Sequence, residues 1–311
     1  MGTEVRVIAF TNPQAGEAAT RAAIDQAVAE IRRLEDVMTT WRPSELQSLN
    51  DKAGEWVTVG PDSLDVLKKS VWAGKMSKGT FDITYASMGP LWKFGDAAEE
   101  NPSPPSAADV AKGRARIDYR KIELDLAGKR ARVGKGQRID VGGIAKGYAV
   151  DGAARKLKAA GVSDFLVQAG GDLFGAGHKP DGSPWVSGIR DPRGPADRFF
   201  ATIELTDHAF STAGDYARAY IVKGKRYHHI IDPRTGYPAT ACRSVTIWAG
   251  DAFTADAIDD AVFILGPKEG LDIVESLPDV GAVVVDAQNQ VHVSRRLEGK
   301  VKVLQPPTDG I

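Results

Sequence analysis

Cysteine is almost missing from this 311-residue chain. The single Cys242 can close no internal disulfide, which excludes a stapled scaffold and leaves the redox compartment open. An excess of one charge is missing too. Forty Lys and Arg stand against 41 Asp and Glu, so the overall balance gives no reason to expect nucleic acid or an anionic membrane as partner. No apolar run approaches the roughly 20 residues that cross a bilayer. The densest, "GAVVVDAQNQVHV" (281–293), reads as a pair of strands. "MGTEVRVIAF" at the start has neither the charged region, the apolar region nor the cleavage site of a secretory signal. Histidine is scarce at five, yet two of the five are adjacent, His228 and His229 in "RYHHIIDPRTG" (226–236).

Apolar residues make up 42%, enough to bury a core in one large domain or two interlocked lobes. From Gly16 to Met38, Ala27, Ile31, Leu34 and Met38 recur at helical spacing. Pro43 breaks that period. The proline-rich, acidic stretch at about 96–112 reads as a flexible linker. "KIELDLAGKRARV" predicts a hairpin around Ala127 and Gly128, and "DFLVQAGGDLFGAG" a buried strand entering a glycine turn. Strands joined by short turns among irregularly spaced helices favour an α+β fold over a doubly wound parallel sheet. No repeat of fixed period is present.

Several stretches could carry chemistry. "RIDVGGIAKGYAVDGAARKL" (138–157) predicts a strand, a glycine pair and a helix whose free N–H groups and Lys146 suit an anion, although a tight turn with a helix cap explains it as well. "TADAIDDAVFILG" (254–266) puts Asp256 and Asp260 on one face of a short helix. A hard divalent cation with waters and a substrate phosphate would bridge them, and a solvated acidic face is the plain alternative. Phe81, Tyr85, Trp92 and Phe94 could stack on a planar ring or simply form core. In extended backbone His228 and His229 face opposite sides, so at most one enters a given site. The "IDPRTGYP" turn after them is rigid.

The order of these motifs is more specific than any one of them. "MGT", "MTTWRPSELQSLN", "GTFDIT", "GPLWKFG", "IDVGGIAKGYAVD", "QAGGD", "STAGDYARAY", "HHIIDPRTGYP" and "ADAIDDA" follow one another as in the ApbE family of FAD:protein FMN transferases, which the chain resembles from Met1 to about Asp286. The resemblance implies one domain over 1–311, built as two interlocked mixed α/β lobes with FAD bound between them. It implies Mg²⁺-dependent transfer of FMN from FAD to a threonine of a partner protein, typically a subunit of a membrane redox complex, with release of AMP. It further implies Mg²⁺ on the Gly143 carbonyl, Asp256 and Asp260, where Asp260 replaces the family threonine and adds a charge. FAD contacts carry over to Met38, Thr80, Phe81, Asp82, Asp140, Lys146, His229 and Ile230, with Trp41 at a position where the family has a phenol. His229 is the expected catalytic base or orienting group, backed by Asp215 or Asp232. An export segment ahead of Met1 and a periplasmic or outward-facing, membrane-anchored location are expected on the same ground. Two rival readings are a Mg²⁺-dependent FAD pyrophosphatase using the same site and a non-catalytic FAD-binding or storage protein.

Overall fold

The computed structural model of the chain describes residues 2–95 and 102–310. In chain order it runs β1 (Val5–Ala9), α1 (Glu17–Met38), α2 (Glu45–Asp51), β2 (Val57–Thr58), α3 (Pro61–Met76), α4 (Ala107–Arg114), β3 (Glu123–Asp125), β4 (Arg130–Arg132) and α5 (Ala145–Ala159). There follow β5 (Phe165–Ala169), β6 (Asp172–Ala176), β7 (Val186–Arg190), β8 (Phe199–Glu204), β9 (His208–Gly214), β10 (Ala219–Val222), β11 (Lys225–His228), β12 (Ile231–Asp232) and β13 (Tyr237–Pro238). The chain then forms β14 (Cys242–Ala249), α6 (Ala252–Ser276), β15 (Val280–Asp286), β16 (Val291–Val293) and β17 (Lys302–Val303).

Seven strands form one sheet in the order β1-β5-β6-β9-β14-β15-β16, with every neighbouring pair antiparallel. Side-chain alternation divides its residues between two cores. On β14, Val245, Ile247 and Ala249 join the core under α1, α5 and α6, whereas Trp248 points to the other face. On β15, Ala282 and Val284 take the first side, and Val283 and Val285 the second, against Phe200, Ile203 and Leu205 of the β17-β8-β7 sheet and the turn after it. Helices gathered on one face of an antiparallel sheet give the α+β class that the strand pattern suggests. The same core runs on into α3 and the β2-β4-β3 sheet, since Leu64, Leu67 and Ala131 belong to one cluster with Ile258 and Phe263. No helix among the described residues is long and apolar enough to cross a membrane.

The expected helix from Gly16 is α1, with Gly16 as its N-cap and Ala27, Ile31, Leu34 and Met38 buried. The expected hairpin and strand pair are β3–β4 and β15–β16, and the strand expected to enter a glycine turn is β5, which that turn joins to β6. Three expectations need correction. Residues 138–141 form no strand, because the Asn50 side chain substitutes for a neighbouring strand: its Nδ2 donates to the Ile139 carbonyl at 3.0 Å and its Oδ1 accepts from Ile139 N at 2.7 Å. The helix at 254–266 is long, starting at an Asp251 cap and continuing past a kink at Gly266 and Pro267. Of the expected linker, residues 96–101 lie outside the described residues. Residues 107–112 are helical, in α4, because Ser106 caps Asp109 N and Val110 is buried beside Met88 and Ile231.

Candidate functional site

A cavity of about 920 Å³ opens where the C-terminal end of α1, the 80–85 segment, the start of α5, the residues after β9 and the end of β11 converge on α6. That volume suits a large organic ligand. All eleven sequence-derived site residues, Gly143 and Asp256 among them, lie along its wall.

The floor is a buried charge network. Lys146 Nζ lies 2.9 Å from Asp256 Oδ1 and 3.0 Å from Asp172 Oδ2. The other Asp256 oxygen accepts from Gly147 N at 2.8 Å, in the first turn of α5 where backbone donors are free. Gly147 makes this approach possible, because a Cβ there would collide with the Ala252 carbonyl. Ser211 Oγ stands 2.7 Å from Asp172 Oδ1 and 2.6 Å from Asp259 Oδ2. A hydroxyl has one proton to give, so one of these carboxyls carries its own. Asp259 fits that role, with burial and then the Asp260 and Asp256 charges holding it well above the usual range. Burial would depress Lys146, yet Asp172 and Asp256 outweigh it and hold the ammonium charged. The helix start that reads as an anion site in the sequence is therefore already met by a carboxylate.

Asp260 differs from its neighbours. Its carboxylate has no hydrogen-bond partner among the described residues, and its Oδ2 lies 3.0 Å from where a Gly143 Cβ would stand. Burial pushes it up to about 6, with Lys146 opposing and Asp256 adding to the rise. A free carboxylate above a glycine backbone, with Asp256 one turn away, offers the oxygen donors a hard cation takes together with waters and phosphate. Among the described residues no three His, Cys, Asp or Glu side chains gather as a ready-made metal cage.

The remaining positions divide by what their polar atoms already do. Asp82 caps the 3₁₀ turn Ile83–Met88, taking Thr84 N and Oγ1 on one oxygen and Tyr119 N on the other, while Thr80 Oγ1 donates to the Ser77 carbonyl. Their side chains shape the wall. Asp140 accepts from Thr40 Oγ1 at 2.8 Å and Gly142 N at 2.7 Å. Met38, Phe81 and Ile230 are buried and supply apolar surface, while Trp41, 67% exposed, stands at the rim.

The two histidines do face opposite ways. His228 is buried, with Nε2 2.8 Å from the Ala239 carbonyl and its ring edge-on to Phe263. His229 lines the cavity, and its Nδ1 is buried without a hydrogen-bond partner. Burial, then the Arg218 and His228 charges, lower it to about 4, so the imidazole is neutral at pH 7. Neither carboxylate expected behind it is there. Asp215 is held bidentately by Arg193, and Asp232 by Arg234. Rigid turns position these acids, but flanking arginines claim them. Arg218, which the motifs did not single out, is also on the cavity wall, as is Tyr85 of the aromatic group; the Asp140 charge, then burial, raise the Tyr85 phenol well above its usual range. An arginine next to a site strand, in "STAGDYARAY", was the available signal.

The ApbE family model matches residues 1–284. The chain belongs to the ApbE family. Its similarity to the family extends through both sequence and structure. It is 30% identical to the FAD:protein FMN transferase of Treponema pallidum (strain Nichols), over 98% of this chain and 87% of that one. The crystal structure of the ApbE protein from Thermotoga maritima superposes with a TM-score of 0.86 at 32% identity, covering 96% of each chain. The flavin transferase ApbE from Vibrio cholerae gives 0.83 at 26% identity, again over 96% of each.

Proposed function

We propose that this chain transfers the FMN half of FAD to a threonine hydroxyl of an acceptor protein, forming a phosphoester and releasing AMP, with Mg²⁺ bound at Gly143, Asp256 and Asp260. One observation carries the reading: a neutral His229 with a free ring nitrogen shares a dinucleotide-sized cavity with an unengaged Asp260 carboxylate. The threonine oxygen attacks the phosphorus of the FMN half, the bond to the bridging pyrophosphate oxygen breaks, and the hydroxyl proton passes to His229. Mg²⁺, when bound, would neutralise charge on the phosphate oxygens.

An imidazole at about 4 is a weak base. The pyrophosphate charge would offset Arg218, which helps to lower it, so substrate itself would raise its basicity. Lys146 keeps Asp256 in place and the floor charge balanced. The rigid "IDPRTG" turn supports a fixed line of attack. An acceptor in a membrane redox complex and a location outside the cytoplasm belong to the same proposal on family resemblance.

The test incubates the protein with FAD, Mg²⁺ and an acceptor carrying the threonine motif, and reads flavin fluorescence on the acceptor band with AMP and FMN quantified. A band that needs Mg²⁺ and the threonine supports transfer. AMP and free FMN without a band, on an acceptor that a proven relative modifies, would show a pyrophosphatase instead. No AMP would leave a flavin binder.

A further inference from the structure

A cavity that takes a pyrophosphate needs positive charge, and this one is lined mainly by acids. Glu35, Asp82, Asp140, Asp256, Asp259 and Asp260 lie along it, and Lys146 and Arg218 are the cations among its described lining residues. Lys146 is already engaged, 2.9 Å from Asp256 and 3.0 Å from Asp172. Arg218 is not. Its guanidinium makes no hydrogen bond or ion pair among the described residues, and the side chain is exposed at the cavity wall.

Strand register sets Arg218 beside His229. β10 and β11 pair Tyr220 with Tyr227 and Ala219 with His228, and the ladder runs one step further, with His229 N donating to the Arg218 carbonyl at 3.2 Å. Facing residues of an antiparallel pair project to one side, and successive pairs to opposite sides. Arg218 and His229 therefore share a face with Tyr220 and Tyr227. Stacked rings hold that face in place: Tyr220 lies 5.4 Å from Tyr227 and 5.5 Å from Phe94, and Trp92 lies 6.0 Å from Phe94 and 5.8 Å from Tyr227, between ring centroids. The Arg218 stem packs beside the same segment, its Cδ 3.6 Å from where a Gly95 Cβ would stand, and both Phe94 and Gly95 line the cavity. Burial and then the Arg218 charge lower His229, so the guanidinium is within electrostatic reach of the ring. One fixed ribbon thus presents a neutral imidazole and an unengaged cation to the same space.

Building on the transfer reading, we propose that Arg218 is a catalytic residue whose guanidinium grips the FAD pyrophosphate beside His229 and takes up the charge left on the departing AMP. The planar fork of an arginine matches phosphate oxygens in pairs, which a lysine does not. As the threonine oxygen bonds to the phosphorus of the FMN half, the bond from that phosphorus to the bridging oxygen breaks. The electron pair stays on the bridging oxygen, which leaves as part of AMP. The hydroxyl proton goes to His229, and Arg218 stabilises the new charge by hydrogen bonds without giving up a proton.

Two titrations of the full chain by flavin fluorescence, one with FAD and one with riboflavin, which has no phosphate, test the contact in wild type, Arg218→Gln and Arg218→Lys. Arg218→Gln should weaken FAD binding roughly 10-fold or more and leave riboflavin binding within about twofold. With FAD saturating, it should also lower the rate of AMP release by about 10²–10³-fold, the range for losing one donor aimed at developing charge. Arg218→Lys, which keeps the charge and loses the fork, should fall between. Wild-type FAD affinity and turnover in Arg218→Gln would overturn the proposal. An equal loss of riboflavin and FAD affinity would overturn it too, by showing that the residue only shapes the cavity. If AMP and free FMN form with no labelled acceptor, the transfer reading falls and the Arg218 contact is judged on AMP release alone, because both reactions break the same anhydride bond. If the acceptor is labelled at the wild-type rate by Arg218→Gln, the Arg218 contact falls and the transfer reading stands.

Discussion

On the floor of the cleft every carboxylate oxygen of Asp172, Asp256 and Asp259 has a partner: Lys146, Ser211, Gly147 N or Asp260 N. On the wall facing it, His229 Nδ1 has none. The floor is complete without a ligand, because buried charge that found no partner would cost several kcal/mol. At His229 the wall keeps a buried polar atom unsatisfied, a cost that a ligand repays on binding. Substitutions on the wall should therefore cost activity, and substitutions on the floor should cost stability.

The largest effect expected is on the wall. His229→Ala should lower kcat for flavin transfer by about 10²–10⁴-fold, the range for losing a positioned acid or base, with thermal stability little changed. Turnover at the wild-type rate with FAD and Mg²⁺ saturating would remove His229 from the chemistry. On the floor, Lys146→Met should cost about 3 kcal/mol of unfolding free energy, because Asp172 and Asp256 would remain buried without their cation. A denaturant titration decides it. If Lys146→Met were as stable as the parent but inactive, the floor would be a ligand site like the wall.

The division also explains what the sequence could show. Periodic and apolar patterns reveal α1, the β3–β4 hairpin, the β15–β16 pair and the strand β5, because burial writes itself into the residue order. Motif order brings eleven positions to one cavity. What stayed hidden depends on partners far apart in the chain. Asn50 clamping Ile139 across 89 residues erases a strand, and Arg193 capturing Asp215 removes the expected support for His229. Asp82 and Thr80 are on the wall as the motif implies, yet their polar atoms are consumed by local caps, which no spacing rule distinguishes from ligand contacts.

Acidity sharpens the comparison at smaller magnitude. The folded chain holds His229 at about 4 against an ordinary value of 6.5, so between these limits the unfolded state binds more protons. Stability then falls as pH drops through that window, by about 3 kcal/mol for this one group. His229→Gln should flatten that part of the stability profile. A variant profile parallel to wild type from pH 6.5 to 4 would mean that water reaches the ring freely and the wall is not desolvated.

The smallest effect belongs to Asp260, the one floor residue built like the wall. Its carboxylate accepts no hydrogen bond among the described residues and lies near Asp256, so without metal it contributes repulsion and desolvation. Asp260→Thr, which restores the family residue, should raise metal-free stability by about 0.5–1 kcal/mol while transfer stays within about tenfold of wild type. Added Mg²⁺ should stabilise both proteins, the wild type more, because a ligand that binds only the folded state stabilises it in proportion to its affinity and a second carboxylate strengthens that affinity. Unfolding curves with chelator and with Mg²⁺ separate the two contributions. Lower stability of the variant in chelator would mean that Asp260 is held by the protein rather than waiting for a cation, and the contrast between floor and wall would then follow position alone.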